Sequence, residues 1–352
     1  MEPSPVLIVG QGLSGSCLAL SLLDRGTPVT VVDDGAPAAP SRVTPGLATP
    51  IAGPRLTFPP SGPGVAQASW DRYRTLTRRF SRPILHRHEI LHVAGAPEEH
   101  RQLEKRLQEP EYARWLGRPF TPGDHDGLLA DPWGGFGIRG ALIDVPTLLA
   151  ETASLLRREG AIRNEWLDPR ALEPTGDGVR WAGEHFRAAV FCDGPAGTDN
   201  PWLSGVELQR VPGEVLTVEP SAPVPAHIYH GRAGYLAPQP GRAGFRLGAT
   251  YGTPGTPAER TDAARAHLLE QLPRLLARPP RMTVTDHRAG SRPATPQRCP
   301  VVGRIPGTPI SVLNGLGARA MLQAPALADA LAGQLVSGDP LPEGCVAPAA
   351  PA

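Results

Sequence analysis

The sequence has 352 residues but only four cysteines, and no two of them form a CxxC pair. Such pairs are typical of structural zinc sites and of thiol–disulfide catalysts. We therefore expect no metal site and four reduced thiols, and we predict a cytoplasmic protein. The four cysteines are Cys17, Cys192, Cys299 and Cys345.

Long apolar runs and an excess of one charge are also missing. No uncharged apolar stretch reaches the length of about 18 residues that predicts a transmembrane helix. No basic region precedes the first apolar run, so the N-terminus does not predict a secretory signal. Lysine and arginine total 35 against 34 acidic residues, a formal net charge of +1. This balance argues against attraction to nucleic acid or to an anionic membrane.

Proline and glycine, in contrast, are abundant. The 43 prolines and 40 glycines make up roughly 24% of the chain, which approaches the range of low-complexity sequences. The hydrophobic content of 40% indicates instead that the chain can bury a large core. We expect disorder only in the tail, residues 339–352.

The first 34 residues predict a βαβ unit. Two β-branched runs, Val6–Val9 and Val29–Val32, flank a leucine-rich helix over residues 16–25. A GxGxxG motif joins the first run to the helix. In dinucleotide-binding proteins its glycines give a tight turn, a close approach to the pyrophosphate and close helix packing. The motif contains Gly10, Gly12, Leu13, Ser14 and Gly15.

The second β-branched run ends in Asp33 and Asp34. An acid at this point accepts hydrogen bonds from ribose hydroxyls and repels a 2′-phosphate, so NADP is disfavoured. The pattern predicts dinucleotide binding but does not separate FAD from NAD. A methyltransferase with a related glycine turn is the alternative.

Further along the chain, residues 35–65 predict an extended loop because they are rich in proline, glycine, alanine and serine. Asp144 is an expected N-cap, with Pro146 in the first turn of its helix. The other patterns predict helices over residues 70–80, 98–116, 144–158, 263–276 and 318–335. They predict strands over residues 179–193, 213–219, 227–236, 244–251 and 301–313.

Two later segments, residues 190–197 and 310–319, also run from a strand into a glycine-rich turn. With the first they suggest one sheet of discontinuous segments, whose ligands lie beyond the carboxyl ends of the strands. An ordinary tight turn is the alternative for each. Arg292 stands between small residues and a proline, where its guanidinium is well placed to form a bidentate pair with a carboxylate. A solvated structural role is the alternative, because the chain has 34 arginines.

Together these residues resemble the FAD-dependent oxidoreductases of the D-amino-acid oxidase superfamily, which includes glycine oxidase and sarcosine oxidase. Four landmarks carry the resemblance, in order along nearly the whole chain. They are the GQGLSG turn with Asp33, residues 41–55, residues 190–197, and the segment from Gly290 through Gly303 that continues to NGLGARAMLQAP.

The resemblance implies how FAD would be bound. The first turn and the following acid would hold the ADP half, and the segment that begins at Ser41 would run along the pyrophosphate and flavin. The glycines near residue 315 would let the backbone approach the isoalloxazine. The implied cofactor residues are Gly10, Gly12, Leu13, Ser14, Gly15, Asp33, Asp34, Ser41, Arg42, Gly46, Leu47, Gly194, Gly315, Leu316 and Gly317.

On the substrate side, the resemblance assigns Arg292 to a substrate carboxylate, with Arg319 as a second candidate. Tyr235 and Tyr251 would line the pocket, although ordinary packing is an equal alternative for both. We expect these four residues to form the catalytic site.

Some members of the family attach FAD to a cysteine just upstream of a TPD-like triplet. Here Gly290 holds that position, so we predict non-covalent FAD. Gln297 replaces the acid of the triplet, and Ala320 stands where a glycine is common. We expect both near the flavin or substrate, and they leave the substrate preference open.

The implied fold is α/β, with a Rossmann-like FAD-binding domain of discontinuous segments and an antiparallel-sheet substrate domain. We assign residues 1–50, 141–205 and 288–338 to the first and residues 51–140 and 206–287 to the second.

The implied activity is oxidation of the C–N bond of an amino acid or related amine, by hydride transfer to flavin N5. The expected partner is a small amine, without nucleic acid. The alternatives are a flavoenzyme that modifies a carboxymethylaminomethyl group in tRNA, a flavin-binding protein without turnover, and an NAD-dependent dehydrogenase.

Overall fold

The structure, a computed structural model, describes residues 4–52 and 56–350. Its helices are α1 (Leu13–Leu23), α2 (Pro40–Val43), α3 (Gly62–Arg79), α4 (Pro97–Leu107), α5 (Pro110–Ala113), α6 (Val145–Arg158), α7 (Asp262–Glu270) and α8 (Ala320–Ser337). Its strands are β1 (Val6–Val9), β2 (Val29–Val32), β3 (Leu47–Ala48), β4 (Leu85–Val93), β5 (Leu116–Phe120), β6 (Gly135–Ile143), β7 (Ile162–Arg163), β8 (Glu173–Pro174), β9 (Val179–Trp181), β10 (Glu184–Phe186), β11 (Ala188–Phe191), β12 (Gln209–Pro220), β13 (Ile228–Gly231), β14 (Gly234–Pro238), β15 (Phe245–Gly248), β16 (Met282–Ala294), β17 (Val301–Arg304) and β18 (Ile310–Asn314).

The predicted βαβ unit at the start of the chain is confirmed. β1 and β2 pair in parallel, with Val6 opposite Val29, and α1 connects them. Nearly every side chain of α1 is buried because the helix packs between the sheet and α8. Gly26 follows the helix at φ 69°, a conformation that glycine adopts without strain.

A six-stranded sheet contains this unit, in the order β17-β18-β11-β1-β2-β7. The neighbours from β18 to β7 are parallel, and β17 is antiparallel to β18. Their inward residues are almost wholly aliphatic, as expected for strands buried on both faces. The sheet is thus assembled from distant segments, as predicted.

A nine-stranded sheet forms the other half of the structure, in the order β16-β12-β15-β14-β13-β4-β6-β3, with β5 paired to β6. Most of its pairs are antiparallel, but β13 and β4 are parallel, with His230 opposite His92. β8, β9 and β10 form a separate small sheet. This combination of parallel and antiparallel sheets confirms the predicted α/β fold class.

The predicted domain boundaries remain a prediction. The strands of the six-stranded sheet fall inside the segments assigned to the FAD domain. However, β3 belongs to the nine-stranded sheet, and β6 and β16 continue across the predicted boundaries at residues 140 and 288.

Three expected elements differ from the structure. The segment 35–65 contains α2, β3 and the start of α3 rather than a continuous loop. The helix expected over 98–116 ends at Leu107, since Pro110 begins a new short helix, and Leu116 begins β5. The helix expected over 263–276 ends at Glu270, and a 3-10 turn with Pro273 follows.

The tail also differs from the expected disorder. Val346 pairs with Val301 of β17: its N–H donates to Pro300 O at 2.8 Å, and its carbonyl accepts from Val302 N at 3.1 Å. The described part of the tail therefore covers the outer edge of the six-stranded sheet.

No helix within residues 4–52 and 56–350 combines the length and apolar character needed to cross a membrane.

Candidate cofactor and substrate site

A cavity of about 1850 Å³ lies between the two large sheets. On one side it is lined by residues that follow the strands of the six-stranded sheet, among them Gly10, Asp33 and Gly315. On the other side it is lined by side chains of the nine-stranded sheet, including His230 and Arg292. The volume exceeds the roughly 300–1000 Å³ of ordinary small-ligand pockets, so the cavity can hold a dinucleotide together with a substrate.

The GxGxxG turn closes one end of this cavity. Gly10 has φ 101°, and a Cβ there would lie 2.5 Å from Cys192 O. A Cβ on Gly15 would lie 1.8 Å from Gly10 O. Both positions therefore require glycine for close packing. Gly15 acts in this packing and does not line the cavity.

Ser41 fastens the next segment over the start of α1. Its Oγ accepts a hydrogen bond from Leu13 N at 2.9 Å. A Cβ on Gly12 would lie 3.2 Å from the same oxygen. The first turn of α1 therefore faces the cavity under Ser41, where the positive end of the helix dipole attracts an anion.

Asp33 lies at the end of β2, on the cavity wall. Its carboxylate accepts from Gln11 N at 2.6 Å and from Gly35 N at 2.8 Å. Arg42 Nη2 lies 3.4 Å from the same carboxylate. Arg42 does not line the cavity, and its place along the pyrophosphate or flavin stays a prediction. The guanidinium turns to Asp33 instead.

Gly46 lies beside β6, and its place along the flavin likewise stays a prediction. It has φ 78° and does not line the cavity. A Cβ there would lie 2.0 Å from Ile143 O, so the glycine allows β3 to approach β6. Its neighbour Leu47 does line the cavity.

Asp193 was missed by the sequence analysis. Its two carboxylate oxygens accept from Asn200 Nδ2 and Asn314 Nδ2, both at 2.9 Å. Burial raises the pKa of Asp193 to about 6, although these amide hydrogen bonds act in the opposite direction. The sequence did hold a signal for this site, because polar residues stand at the ends of two predicted strands. The carboxyl ends of neighbouring parallel strands meet, so such residues are expected to lie close together.

Trp166 was missed as well. It follows β7, lines the cavity, and is 66% exposed. β7 pairs with β2, so Trp166 reaches the cavity close to Asp33. β7 has two residues, which is too short to show a strand pattern in the sequence.

Arg292 projects from β16 against two backbone carbonyls. Its guanidinium donates to Thr250 O at 3.3 Å and to Pro212 O at 3.4 Å. Its Cζ lies 4.3 Å from the centre of the Tyr251 ring. A Cβ on Gly213 would lie 2.3 Å from Nη1, so that glycine makes room for it. No carboxylate of the described chain pairs with Arg292.

Arg319 also lines the cavity and has no carboxylate partner among the described residues. Its Nη2 donates to Ala52 O at 3.1 Å. Burial lowers its pKa, and the nearby charge of Arg298 lowers it further. Tyr235 also lines the cavity, and its buried hydroxyl has no hydrogen-bond partner within the described chain. Polar groups in this state are suited to a ligand.

Most of the predicted site residues are thus brought together on the cavity wall. Gln297 lies outside this wall, where its side-chain amide contacts Glu207 at 3.5 Å. The wall includes Ala320. It also contains Gly10, Gly12, Leu13, Ser14, Asp33, Asp34, Ser41, Leu47, Gly194, Gly315, Leu316, Gly317, Tyr235, Tyr251, Arg292 and Arg319. Gly53 to Arg55, at the end of the second landmark, lie outside the described residues.

These features fit FAD. The close-packed turn, the start of α1 and Asp33 form one wall for an adenosine diphosphate. The cavity then continues past Gly315 and Gly317 to Arg319 and, on the opposite side, to Arg292. Among the described residues no group of three or more His, Cys, Asp or Glu side chains is arranged to hold a metal ion.

Solved structures share this fold. Iminodiacetate oxidase from Chelativorans sp. BNC1 superposes with a TM-score of 0.81 at 21% sequence identity, covering 99% of this chain and 100% of the other. Glycine oxidase from Geobacillus kaustophilus gives 0.78 at 21% identity, covering 97% of each chain.

Curated proteins are similar to this chain in sequence. The tRNA 5-methylaminomethyl-2-thiouridine biosynthesis bifunctional protein MnmC of Caulobacter vibrioides is 30% identical over 97% of this chain. The alignment covers 56% of that protein, so the chain spans about half the length of such relatives. MnmC of Maricaulis maris is likewise 30% identical over 96% of this chain and 52% of its own length.

Residues 5–334 match the family described as DAO, FAD dependent oxidoreductase. This match spans most of the chain and includes the turn, the strand ends and Arg292. The protein is therefore an FAD-dependent oxidoreductase of the D-amino-acid oxidase family.

Proposed function

We propose that the protein oxidises the C–N bond of a small amine that carries a carboxylate. The observation that supports this most directly is Arg292, whose guanidinium lines the cavity without a carboxylate partner in the described chain. A buried or half-buried cation held only by carbonyls and an aromatic ring is well suited to an anionic ligand. An N-substituted glycine or an α-amino acid supplies such a carboxylate next to the reacting carbon.

FAD would be held by the wall that begins at Gly10. The start of α1 would face the diphosphate, and Asp33 would accept from ribose hydroxyls. The backbone at Gly315 and Gly317 would lie against the flavin. When bound, FAD supplies the acceptor for the electron pair removed from the substrate.

The side chains of the nine-stranded sheet would orient the substrate. The Arg292 guanidinium would form a bidentate pair with the carboxylate, and the Tyr251 ring would keep the guanidinium in place. The Tyr235 hydroxyl, which lacks a partner in the described chain, would donate to the same ligand. Contacts at two points of a small substrate hold its reacting carbon in one orientation, which lowers the activation barrier of the oxidation.

The test is anaerobic reduction of the bound flavin by glycine, sarcosine and iminodiacetate, with methylamine as the probe without a carboxylate. Arg292→Ala should raise the KM for the three carboxylate amines about 10- to 100-fold, as for the loss of a charge-assisted hydrogen bond. FAD content should be unchanged. Arg274→Ala, an exposed arginine on the same cavity wall, is the matched control. Equal effects of both substitutions, or none from Arg292→Ala, would remove Arg292 from substrate binding.

We also propose that FAD is bound without a covalent link. Burial raises the pKa of the cavity-lining Cys192 well above its usual value, so its thiol stays protonated and unreactive. Acid precipitation of the protein should therefore leave all flavin in the supernatant. Yellow colour in the washed pellet would contradict this.

A second candidate substrate is a carboxymethylaminomethyl group in tRNA. The tRNA-modification names of the curated relatives support it, and this group carries the same amine and carboxylate as an N-substituted glycine. The net charge of +1 does not favour a large anionic partner. Flavin reduction by tRNA that bears the group, but by none of the small amines, would favour this candidate. A flavin that none of these substrates bleaches would favour a binding protein without turnover.

A further inference from the structure

Three hydrogen-bonded titratable side chains line the cavity on the side of the nine-stranded sheet. His92 Nε2 lies 3.1 Å from Glu99 Oε1, and His92 Nδ1 lies 2.8 Å from His230 Nδ1. Glu99 and His92 are each only 3% exposed, and His230 is partly buried. A chain of three such groups from the protein interior to a cavity can carry a proton in either direction.

The strand register brings this chain next to the substrate site. On β13, His230 lies opposite His92 of β4 on one side and opposite Tyr235 of β14 on the other. Residues directly opposite each other on neighbouring strands point to the same face of a sheet. The row therefore runs from Glu99 through the two histidines to Tyr235. The charge of Arg292 in turn acts on the Tyr235 hydroxyl.

The hydrogen-bond partners of Glu99 indicate which ring nitrogens of the two histidines carry protons. Burial on its own would raise the pKa of Glu99. Hydrogen bonds from His92 and from Gly95 N, with the charge of Arg232, outweigh it and lower that pKa. The carboxylate is therefore ionised and accepts from His92 Nε2–H. With its Nε2–H donated to Glu99, His92 presents Nδ1 as an acceptor. His230 then donates its Nδ1–H and keeps a free electron pair on Nε2.

Burial keeps His230 neutral. Burial lowers the pKa of His230 to about 3, a positive charge on His92 would lower it further, and Glu99 acts in the opposite direction. Tyr235 faces it from the next strand, and Arg232 follows two residues later and contacts Glu99. The remaining ionisable groups on this part of the wall, His267 and Arg274, are exposed. Nε2 of His230 therefore carries no proton at neutral pH.

We propose that Glu99, His92 and His230 form a proton relay that accepts the ammonium proton of the amine substrate at His230 Nε2. This inference rests on the proposed amine oxidation. The substrate changes from an ammonium ion to the free amine by losing one proton from nitrogen. His230 gains that proton on Nε2 and passes its Nδ1 proton to His92 Nδ1, so that His92 becomes an imidazolium beside the Glu99 carboxylate. The charge of the relay changes from −1 to 0 while that of the substrate changes from +1 to 0.

The relay meets a requirement of the reaction. Removal of an electron pair from the carbon next to nitrogen needs the free amine, because the nitrogen electron pair stabilises the positive charge that develops on that carbon. Amines are mostly ammonium ions at neutral pH. His230 acting alone would be a poor acceptor, since it loses a proton readily. Transfer onward to His92 places the positive charge next to Glu99, where it is attracted rather than isolated.

The kinetic test compares His230→Gln with wild type in anaerobic flavin reduction by the amine probes above, across pH. His230→Gln should reduce flavin about 100-fold or more slowly at pH 7, in the range of general-base catalysis. The deficit should vanish above the pKa of the amine, where water has already removed the proton. Glu99→Gln, which keeps the shape but removes the charge, should give the same pH-dependent loss. His88→Gln is the matched control on β4, outside the cavity wall.

Two kinetic outcomes would overturn the relay: an unchanged pH profile in His230→Gln, or an equal loss at every pH, which indicates a structural role. Failure of every amine to reduce the wild-type flavin at any pH would instead overturn the proposed function, and the relay's role as amine base with it.

A second readout does not depend on turnover. Nitrogen-15 NMR of the histidine-labelled, FAD-loaded protein, assigned with the His92→Gln and His230→Gln variants, reports which ring nitrogens carry protons. We expect His92 protonated on Nε2 and His230 on Nδ1, with the His230 tautomer changed in Glu99→Gln. A proton on His230 Nε2 at neutral pH would overturn the relay, whatever the kinetics.

Discussion

At the scale of single residues, the cavity is marked by side chains that lack their usual partners. Arg292 is held by carbonyls and a ring, and the Tyr235 hydroxyl has no acceptor among the described residues. Arg292 was predictable because its local sequence and its family resemblance agree. The pair of His92 and His230 was not, because the two are separated by 138 residues and meet only through the parallel pairing of β4 with β13.

Asp193 gives a pH dependence of stability whose direction follows from its environment. Its pKa is raised from 3.8 to about 6 in the folded protein. Between these values the folded protein holds a proton that the unfolded chain has released, so this group stabilises the fold at low pH. The contribution is lost as pH rises through about 4 to 6 and then stays constant.

We therefore expect the free energy of unfolding of wild type, relative to Asp193→Asn, to fall by about 2 kcal/mol between pH 4 and pH 7. Urea unfolding of both proteins in the same excess of FAD measures this difference. A constant difference across that range would show that Asp193 does not titrate there.

At the scale of elements, prediction succeeded where the signal is local. β1, the glycine turn, α1 and β2 follow one another within 27 residues, and turn geometry and burial pattern specify them directly. The segment 35–65 was read from composition alone, and composition does not show that β3 pairs with β6 or that Ser41 caps α1. These contacts depend on partners far away in sequence.

The glycine turn allows a matched comparison of two alanine substitutions. Gly10→Ala combines a positive φ with a Cβ 2.5 Å from Cys192 O, whereas Gly26→Ala has the positive φ but no atom within 4 Å. Gly26→Ala should cost about 1 kcal/mol, the penalty for a left-handed residue. Gly10→Ala should cost about 3 kcal/mol or more and weaken FAD binding. Chemical unfolding and FAD titration measure the two effects, and equal stability losses would contradict the contact.

At the scale of the whole molecule, the two large sheets make the site by facing each other. Sequence periodicity identified many of their strands, but not the order of strands in the nine-stranded sheet. The parallel pair β13 and β4 and the return of the tail to β17 are both long-range contacts without a local signal. The proposed relay exists only because of the first of them.

The tail offers a test at this scale. β17 is the outer strand of the six-stranded sheet, and Val346 covers its edge with two hydrogen bonds. Val346→Pro removes the N–H that donates to Pro300 O and should lower stability by about 1 kcal/mol while increasing aggregation of the exposed edge. Ala349→Pro, at an exposed position three residues on, is the control. Thermal unfolding measures the stability of the two variants, and light scattering measures their aggregation. Identical behaviour of the two variants would contradict the pairing of Val346 with β17.

The position of β18 in the six-stranded sheet also bears on when the protein can acquire its cofactor. β18 lies beside β11 and leads into Gly315 and Gly317 on the cavity wall, about 300 residues after the GxGxxG turn. Ribosomes add roughly 5–20 residues per second, so the turn emerges about 15–60 s before the strand that completes its sheet. A nascent chain thus displays the nucleotide-binding turn long before the rest of the cavity wall exists, so we expect FAD to be retained only after β18 has been synthesised.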